Sequence, residues 1–350
     1  MVVDTTGENS NEPQIAVIRY LPDGRLDKSF NGQGWVLYNN NYLSFASDVA
    51  IQKDGKIVVA GFRSQSGQNG YNVILLRFNS FGETDTTFGN GGEIDIPNNV
   101  SFDGVNTVAS LTIQGDGKIL LATHAGAPGS DSKKLLLLRF EKNGIPDESF
   151  GSEGRVEYTE YIYGNPAADG FSSDNIMGRK VKIAPDGTIN VLVKVFAYTI
   201  VLKYDIQGVL LWESMPFCGP TGCAVENSVG GLPRGMEVQP DGKIVIVGEA
   251  GTLPFVLRYT PDGNLDSAFG NGSGVVYFNY RDHFGYSDDP VRSSNPRNVA
   301  IQQDGSILMV GSCPMNHDGD SLSDDMDVFV ARYLSNGTAD ASFGVNGVIS

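Results

Sequence analysis

Two phrases alternate along the chain, and they constrain its fold more than any other feature. The first is Arg19-Tyr-Leu-Pro-Asp-Gly-Arg-Leu-Asp-Lys-Ser-Phe30, and it restarts at Arg77, Arg139, Lys203, Arg258 and Arg332. Six copies between Arg19 and Arg332 make five intervals with a mean period of about 63 residues. The second phrase, Val49-Ala-Ile-Gln-Lys-Asp-Gly-Lys-Ile-Val-Val-Ala-Gly61, returns at Leu111, Val181, Met236 and Val299. A supersecondary unit repeated at a fixed period cannot bury its apolar faces alone, so neighbouring units must cover one another.

Each unit divides into four strands. Strand A covers Asp48 to Gln52 and alternates apolar with polar residues. Asp54-Gly55 then marks a hairpin, because Gly supplies a positive φ without strain. Strand B is the apolar run Lys56 to Phe62, strand C runs from Asn72 to Phe78, and strand D from Glu93 to Pro97. Strands B and C are apolar on both faces, as expected of strands covered on both sides. Nothing in the chain has a helical period.

These residues resemble the delta-60 repeat family of bacterial β-propeller proteins. The resemblance lies in Arg-Tyr-x-x-Asp-Gly-x-Leu-Asp-x-Ser-Phe-Gly and Gln-Pro-Asp-Gly-Lys-Ile-Val-Val-x-Gly, and it covers nearly the whole chain. It implies an all-β fold, a β-propeller of four-stranded antiparallel blades, and it implies no activity or catalytic residue set. Six blades is the expected number, with five or seven as alternatives. The expected arrangement is one domain over 1–350, with a partial first blade over 1–47 and later blades starting near 48, 108, 180, 235 and 298. Met1-Val-Val-Asp-Thr looks like a strand B and Gly347-Val-Ile-Ser350 like a strand D. The chain is therefore expected to be excised from, or to end, a longer surface protein.

Repetition separates scaffold from site. Asp27, Asp85, Asp147, Asp266 and Asp340 share one slot, and Phe30, Phe88, Phe150, Phe269 and Phe343 follow three residues later. Such an Asp should accept hydrogen bonds from the backbone of its own turn, and such a Phe should wedge between blades. The strand C Arg should lay its stem along the blade and reach a neighbouring carboxylate or carbonyl. The fourth unit departs from the pattern, with Gly208-Val-Leu-Leu-Trp-Glu-Ser in place of the Leu-Asp-x-Ser-Phe-Gly run.

Strand parity places the uniform A–B and C–D turns on one face and the unequal B–C and D–A connections on the other. Varied loops on a rigid scaffold are where binding usually lives. The long D–A loops supply Tyr161 and Tyr163 in one blade, and Tyr277, Tyr280, Arg281, Asp282, His283, Phe284 and Tyr286 in another. Flat apolar rings with polar tips suit sugar faces or a protein surface, and they also suit packing within their own loops. Asp318, Asp320, Asp324, Asp325 and Asp327 gather around a Gly in a B–C loop. Oxygen ligands so grouped suit calcium. Their spacing is not that of an EF-hand, and a solvated acidic loop is the preferred reading.

A net charge of −16 excludes the basic footprint that nucleic acid requires, and no stretch has the apolar length of a membrane span. Cys218 and Cys223 sit in a turn-rich loop that a disulfide would close, as would suit an oxidising compartment, though two free thiols fit as well. Cys313 has no obvious partner. The leading expectation is an extracellular or cell-surface binding module for a glycan or protein ligand, not an enzyme. A metal-dependent hydrolase or lactonase-like propeller, and a structural spacer or oligomerisation platform, are the alternatives. No Gly-x-Ser-x-Gly or His-Glu-x-x-His motif supports catalysis.

Overall fold

A computed structural model describes residues 1–6, 13–38, 42–64, 71–100, 110–126, 133–159, 176–195, 198–214, 217, 231–251, 253–278, 294–314 and 326–349. Its strands form six antiparallel sheets in chain order, the first three-stranded and the others four-stranded. The first holds β1 (Val2–Thr6), β2 (Pro13–Ile18) and β3 (Trp35–Tyr38). The second holds β4 (Ser44–Ile51), β5 (Ile57–Ser64), β6 (Tyr71–Phe78) and β7 (Glu93–Val100). The third holds β8 (Ser110–Ile113), β9 (Ile119–Ala125), β10 (Lys134–Phe140) and β11 (Arg155–Tyr158). In the fourth are β12 (Ile176–Ile183), β13 (Ile189–Val195), β14 (Tyr198–Tyr204) and β15 (Leu210–Glu213). The fifth comprises β16 (Gly231–Val238), β17 (Ile244–Ala250), β18 (Leu253–Tyr259) and β19 (Val275–Tyr277). The last comprises β20 (Asn295–Ile301), β21 (Ile307–Pro314), β22 (Met326–Tyr333) and β23 (Val348–Ile349). One 3-10 turn at Gly270–Gly272 is the only helical element among the described residues. No helix is long and apolar enough to cross a membrane.

The A–B turns are built by their own Asp-Gly pair. In the second sheet Gln52 N–H donates to the Lys56 carbonyl at 2.8 Å, Gly55 takes φ +82°, and Asp54 Oδ1 accepts from the Lys56 N–H at 3.2 Å. That turn fixes the β4–β5 register. β4 begins four residues before the Asp48 start expected from the pattern, because a bulge between Ala46 and Asp48 lets pairing continue past an extra residue. The same device sits between Pro233 and Gly235 and between Pro296 and Asn298.

Two compact units divide the chain: Met1–Val181 with Ile206–Val209, and Lys182–Asp205 with Leu210–Ser350. In each, the core lies between consecutive sheets. Within the first unit Val58, Val73 and Leu75 pack with Leu111, Ile119 and Leu121 of the next sheet. Within the second, Val245, Val247 and Val256 pack with Ile307, Met309 and Phe329. Each sheet thus needs the next to cover its apolar face.

Candidate functional site

The repeated Arg, Asp and Phe form one device, used at four of the five junctions between consecutive sheets. In the third sheet Arg139 donates through Nε to Asp147 Oδ2 at 2.5 Å and through Nη2 to Ser149 Oγ at 3.2 Å. Its guanidinium lies 4.4 Å from the Phe150 ring centroid, within cation–π range. The Nη1 donates to the carbonyl of Ile206 in the following turn. A Cβ added to Gly208 of that turn would stand 2.8 Å from the Phe150 ring, so only Gly, here at φ +88°, admits the wedge. Gly151 N–H closes the junction on the Gln207 carbonyl at 2.9 Å.

The same triad of contacts joins Phe30 to Gly82, Phe88 to Gly144 and Phe269 to Gly337. In the divergent fourth unit Trp212 takes the Phe role against Gly263, where an added Cβ would stand 2.9 Å from the indole. Lys203 takes the Arg role there, donating to the Pro261 carbonyl at 3.2 Å. A larger ring is thus matched with a thinner cation. The Asp residues cap their own turns as expected: Asp85, Asp147, Asp266 and Asp340 accept from backbone N–H groups two residues on.

Burial opposes ionisation of Asp85 and Asp147, yet both carboxyls are held well below the usual range. Thr87 and Lys56 donate to the first, Lys118 and Ser149 to the second. The folded pKa values are depressed, so the stability these groups contribute is full above the unfolded value of about 4 and is lost as pH falls below it. Urea midpoints should stay level near neutrality and fall below about pH 4. In the D85N/D147N variant this acid limb should be shallower; an unchanged limb would assign acid sensitivity to other groups.

At the opposite ends of the strands repetition stops. One strand B position holds Phe62, His124, Lys194, Glu249 and Ser312 in successive units, and the next holds Arg63, Ala125, Val195, Ala250 and Cys313. His124 is fully buried and Glu249 nearly so. Arg234, carried on the fifth sheet's bulge, donates through Nη2 to Glu249 Oε1 at 2.5 Å, while Glu249 Oε2 meets no donor among the described residues. Arg297 is the exposed bulge residue of the sixth sheet. In the first unit Asp48 accepts from Ser110 Oγ at 2.9 Å and from the Leu111 N–H at 3.2 Å, with Lys180 Nζ 3.7 Å away. Bulges re-aim side chains, and Arg234 and Arg297 stand at the same bulge position of the fifth and sixth sheets. No motif announces these residues. Aligning the repeats on Asp-Gly and asking which columns vary would have found them.

Of the residues singled out from sequence, Tyr277 lies on β19, a little over one-third exposed, and borders a cleft of about 370 Å³ with Asn271 and Thr338. Asp327 lies on β22 directly across from Cys313. Burial, then the Asp327 carboxylate, pushes the buried Cys313 thiol up to about 11. Tyr161, Tyr163, Tyr280, Arg281, Asp282, His283, Phe284, Tyr286, Asp318, Asp320, Asp324, Asp325, Cys218 and Cys223 lie outside the described residues. Among those described, no three His, Cys, Asp or Glu side chains converge as metal ligands would. A larger cleft of about 640 Å³ opens on the uniform face, lined by Gln52, Lys56, Arg77 and Lys142 among others. These are repeated scaffold residues, and Arg77 is already engaged with Asp85 and the Lys142 carbonyl.

The family model described as "Domain of unknown function (DUF5122) beta-propeller" matches residues 1–30, 52–88 and 239–269. Together with the succession of antiparallel sheets, this makes the fold that of a β-propeller, and its sheets are blades. No curated protein matches the chain. Among solved structures, a protein of unknown function from Bacteroides caccae is 14% identical, with 99% of this chain and 96% of that one covered and a TM-score of 0.46. A protein of unknown function from Dyadobacter fermentans is 13% identical over 92% and 83%, with a TM-score of 0.49. Virginiamycin B lyase from Staphylococcus aureus is 9% identical over 96% and 92%, with a TM-score of 0.43. At such distances no functional residue carries over to this chain.

Proposed function

We propose that this chain is a ligand-binding module of a bacterial secreted or cell-surface protein, built from repeats of the delta-60 type. It recognises a glycan or protein surface through the face that carries the B–C and D–A connections. The observation that carries this reading is the contrast between the two ends of the blades. Arg, Asp and Phe recur on one, whereas Phe62, His124, Lys194, Glu249 and Ser312 replace one another on the other. A scaffold has no use for such variety, since turn and packing demands repeat with the blade. A binding face does, because the side chains that border it, such as the partly exposed Lys194 and Ser312, then differ from blade to blade.

Arg297 with Asn298, both exposed on the sixth blade, supply donors, and the aromatic D–A loops supply flat apolar area. The test is glycan-array and whole-cell binding with the intact chain, beside a Y280A/F284A/Y286A variant and an R297A variant. Binding by the parent is expected, with a loss of about tenfold or more in the triple variant. Blank results on both arrays and cells would sink this reading.

A further inference from the structure

The bulges of the last two blades set two arginines on backbones that touch. Gly235 and Asn298 directly follow Arg234 and Arg297, and a Cβ added to Gly235 would stand 2.9 Å from the Asn298 Cα and 3.1 Å from its Oδ1. The glycine therefore admits the neighbouring bulge, with Asn298 Oδ1 close over it. Each arginine is the extra residue of its bulge, outside the ladder of strand pairs. Both blades belong to the same compact unit.

The two cations stand differently. Glu249 holds Arg234 through Oε1 at 2.5 Å, and that pair is mostly buried, its side chains 17% and 8% exposed. Arg234 Nε and Glu249 Oε2 are buried there without a partner among the described residues, a state that native interiors seldom leave open. Arg297 is exposed and meets no carboxylate among the described residues. Glu237, the next carboxylate along the strand of Arg234, is already paired with Lys182. Two guanidiniums against one carboxylate leave a local excess of positive charge, on a chain whose net charge is −16.

We infer that this spot takes the carboxylate of an acidic sugar carried on an otherwise neutral glycan, an inference that rests on the binding face proposed above. A carboxylate matches the planar fork of Arg297 with two parallel hydrogen bonds, and Arg keeps its charge throughout the physiological range. The Asn298 amide, exposed beside it, offers a donor and an acceptor to ring hydroxyls. The Glu249–Arg234 pair fixes the second cation next to them. The charge of the whole chain limits the ligand. A polyanion or an acidic peptide stretch is repelled at long range, whereas a single carboxylate is held by short contacts that salt screens far less.

The test is a calorimetric titration of the intact chain with oligosaccharides capped by glucuronate or by sialic acid, each beside its methyl ester. At least one free acid should bind about tenfold or more tighter than its ester, the usual worth of a hydrogen-bonded charge. R297A should abolish that difference and keep the fold, checked by circular dichroism, because the side chain is exposed. R297K should keep part of the preference, since an ammonium lacks the fork. Acids and esters that bind equally, or an acid preference that survives R297A, would overturn the inference and leave the binding face standing. Binding of an acidic peptide in place of any glycan would also overturn it. Silence with every glycan would overturn it together with the glycan reading of that face.

Discussion

Replacing Phe150 with Ala is expected to lower the unfolding free energy by about 3–5 kcal/mol, the usual range for emptying a buried aromatic site. The ring is fully buried, fills the space above Gly208, and carries the Arg139 guanidinium on its face. Removing it leaves a cavity between two blades and an Arg without its cushion. The matched control is F343A. Phe343 also has an Arg on its face, Arg332 at 4.5 Å, but it is only half-buried, and its loss should cost about 1 kcal/mol or less. Guanidinium denaturation of both variants makes the comparison. Equal losses would mean that the ring serves its own blade and does not wedge against the next.

The second large effect is expected from R139M. It should cost about 3–5 kcal/mol, because Asp147 would remain buried with Lys118 as its one cation. The linear side chain keeps some packing over Phe150 but loses the bonds to Asp147, Ser149 and the Ile206 carbonyl. R139K should fall between, since one ammonium cannot span three acceptors set in a fork. Adding D147N to R139M should recover part of the loss, as no carboxylate is then left uncompensated. A loss below about 1 kcal/mol in R139M would show the guanidinium to be ornamental to stability.

The sequence carried the scaffold because the scaffold repeats. Five Asp-Gly turns between strands A and B, against six C strands, set strand order, hairpin register and the three-stranded first sheet, and the structure has each of them. The roles of Asp147 and Phe150 were equally legible, since turn chemistry and interblade packing act identically in each unit. Two features were not. The bulges at Ser47, Arg234 and Arg297 add one residue without disturbing the apolar pattern, so strand A reads as shorter than it is. Their signal was a glycine: a Cβ at Gly61, Gly248 or Gly311 would collide with a strand A carbonyl. The second feature is the pairing of Arg with the aromatic ring. Spacing along one strand does not reveal a contact between strand C and a turn eleven residues on. The long aromatic loops stand out in the sequence by length alone, whereas the variation at the end of strand B shows only when the repeats are aligned on their Asp-Gly turns.

Each junction reaches forward to the next unit and no further: Arg77 to Lys142 spans 65 residues, and Arg139 to Ile206 spans 67. Synthesis runs in the same direction. A blade emerging from the ribosome keeps its ring and guanidinium exposed until one more turn, some sixty residues downstream, has been made, and then it is sealed. The chain can therefore mature vectorially, with only its newest blade sticky at any moment and no need to wait for distant segments before the older ones are safe.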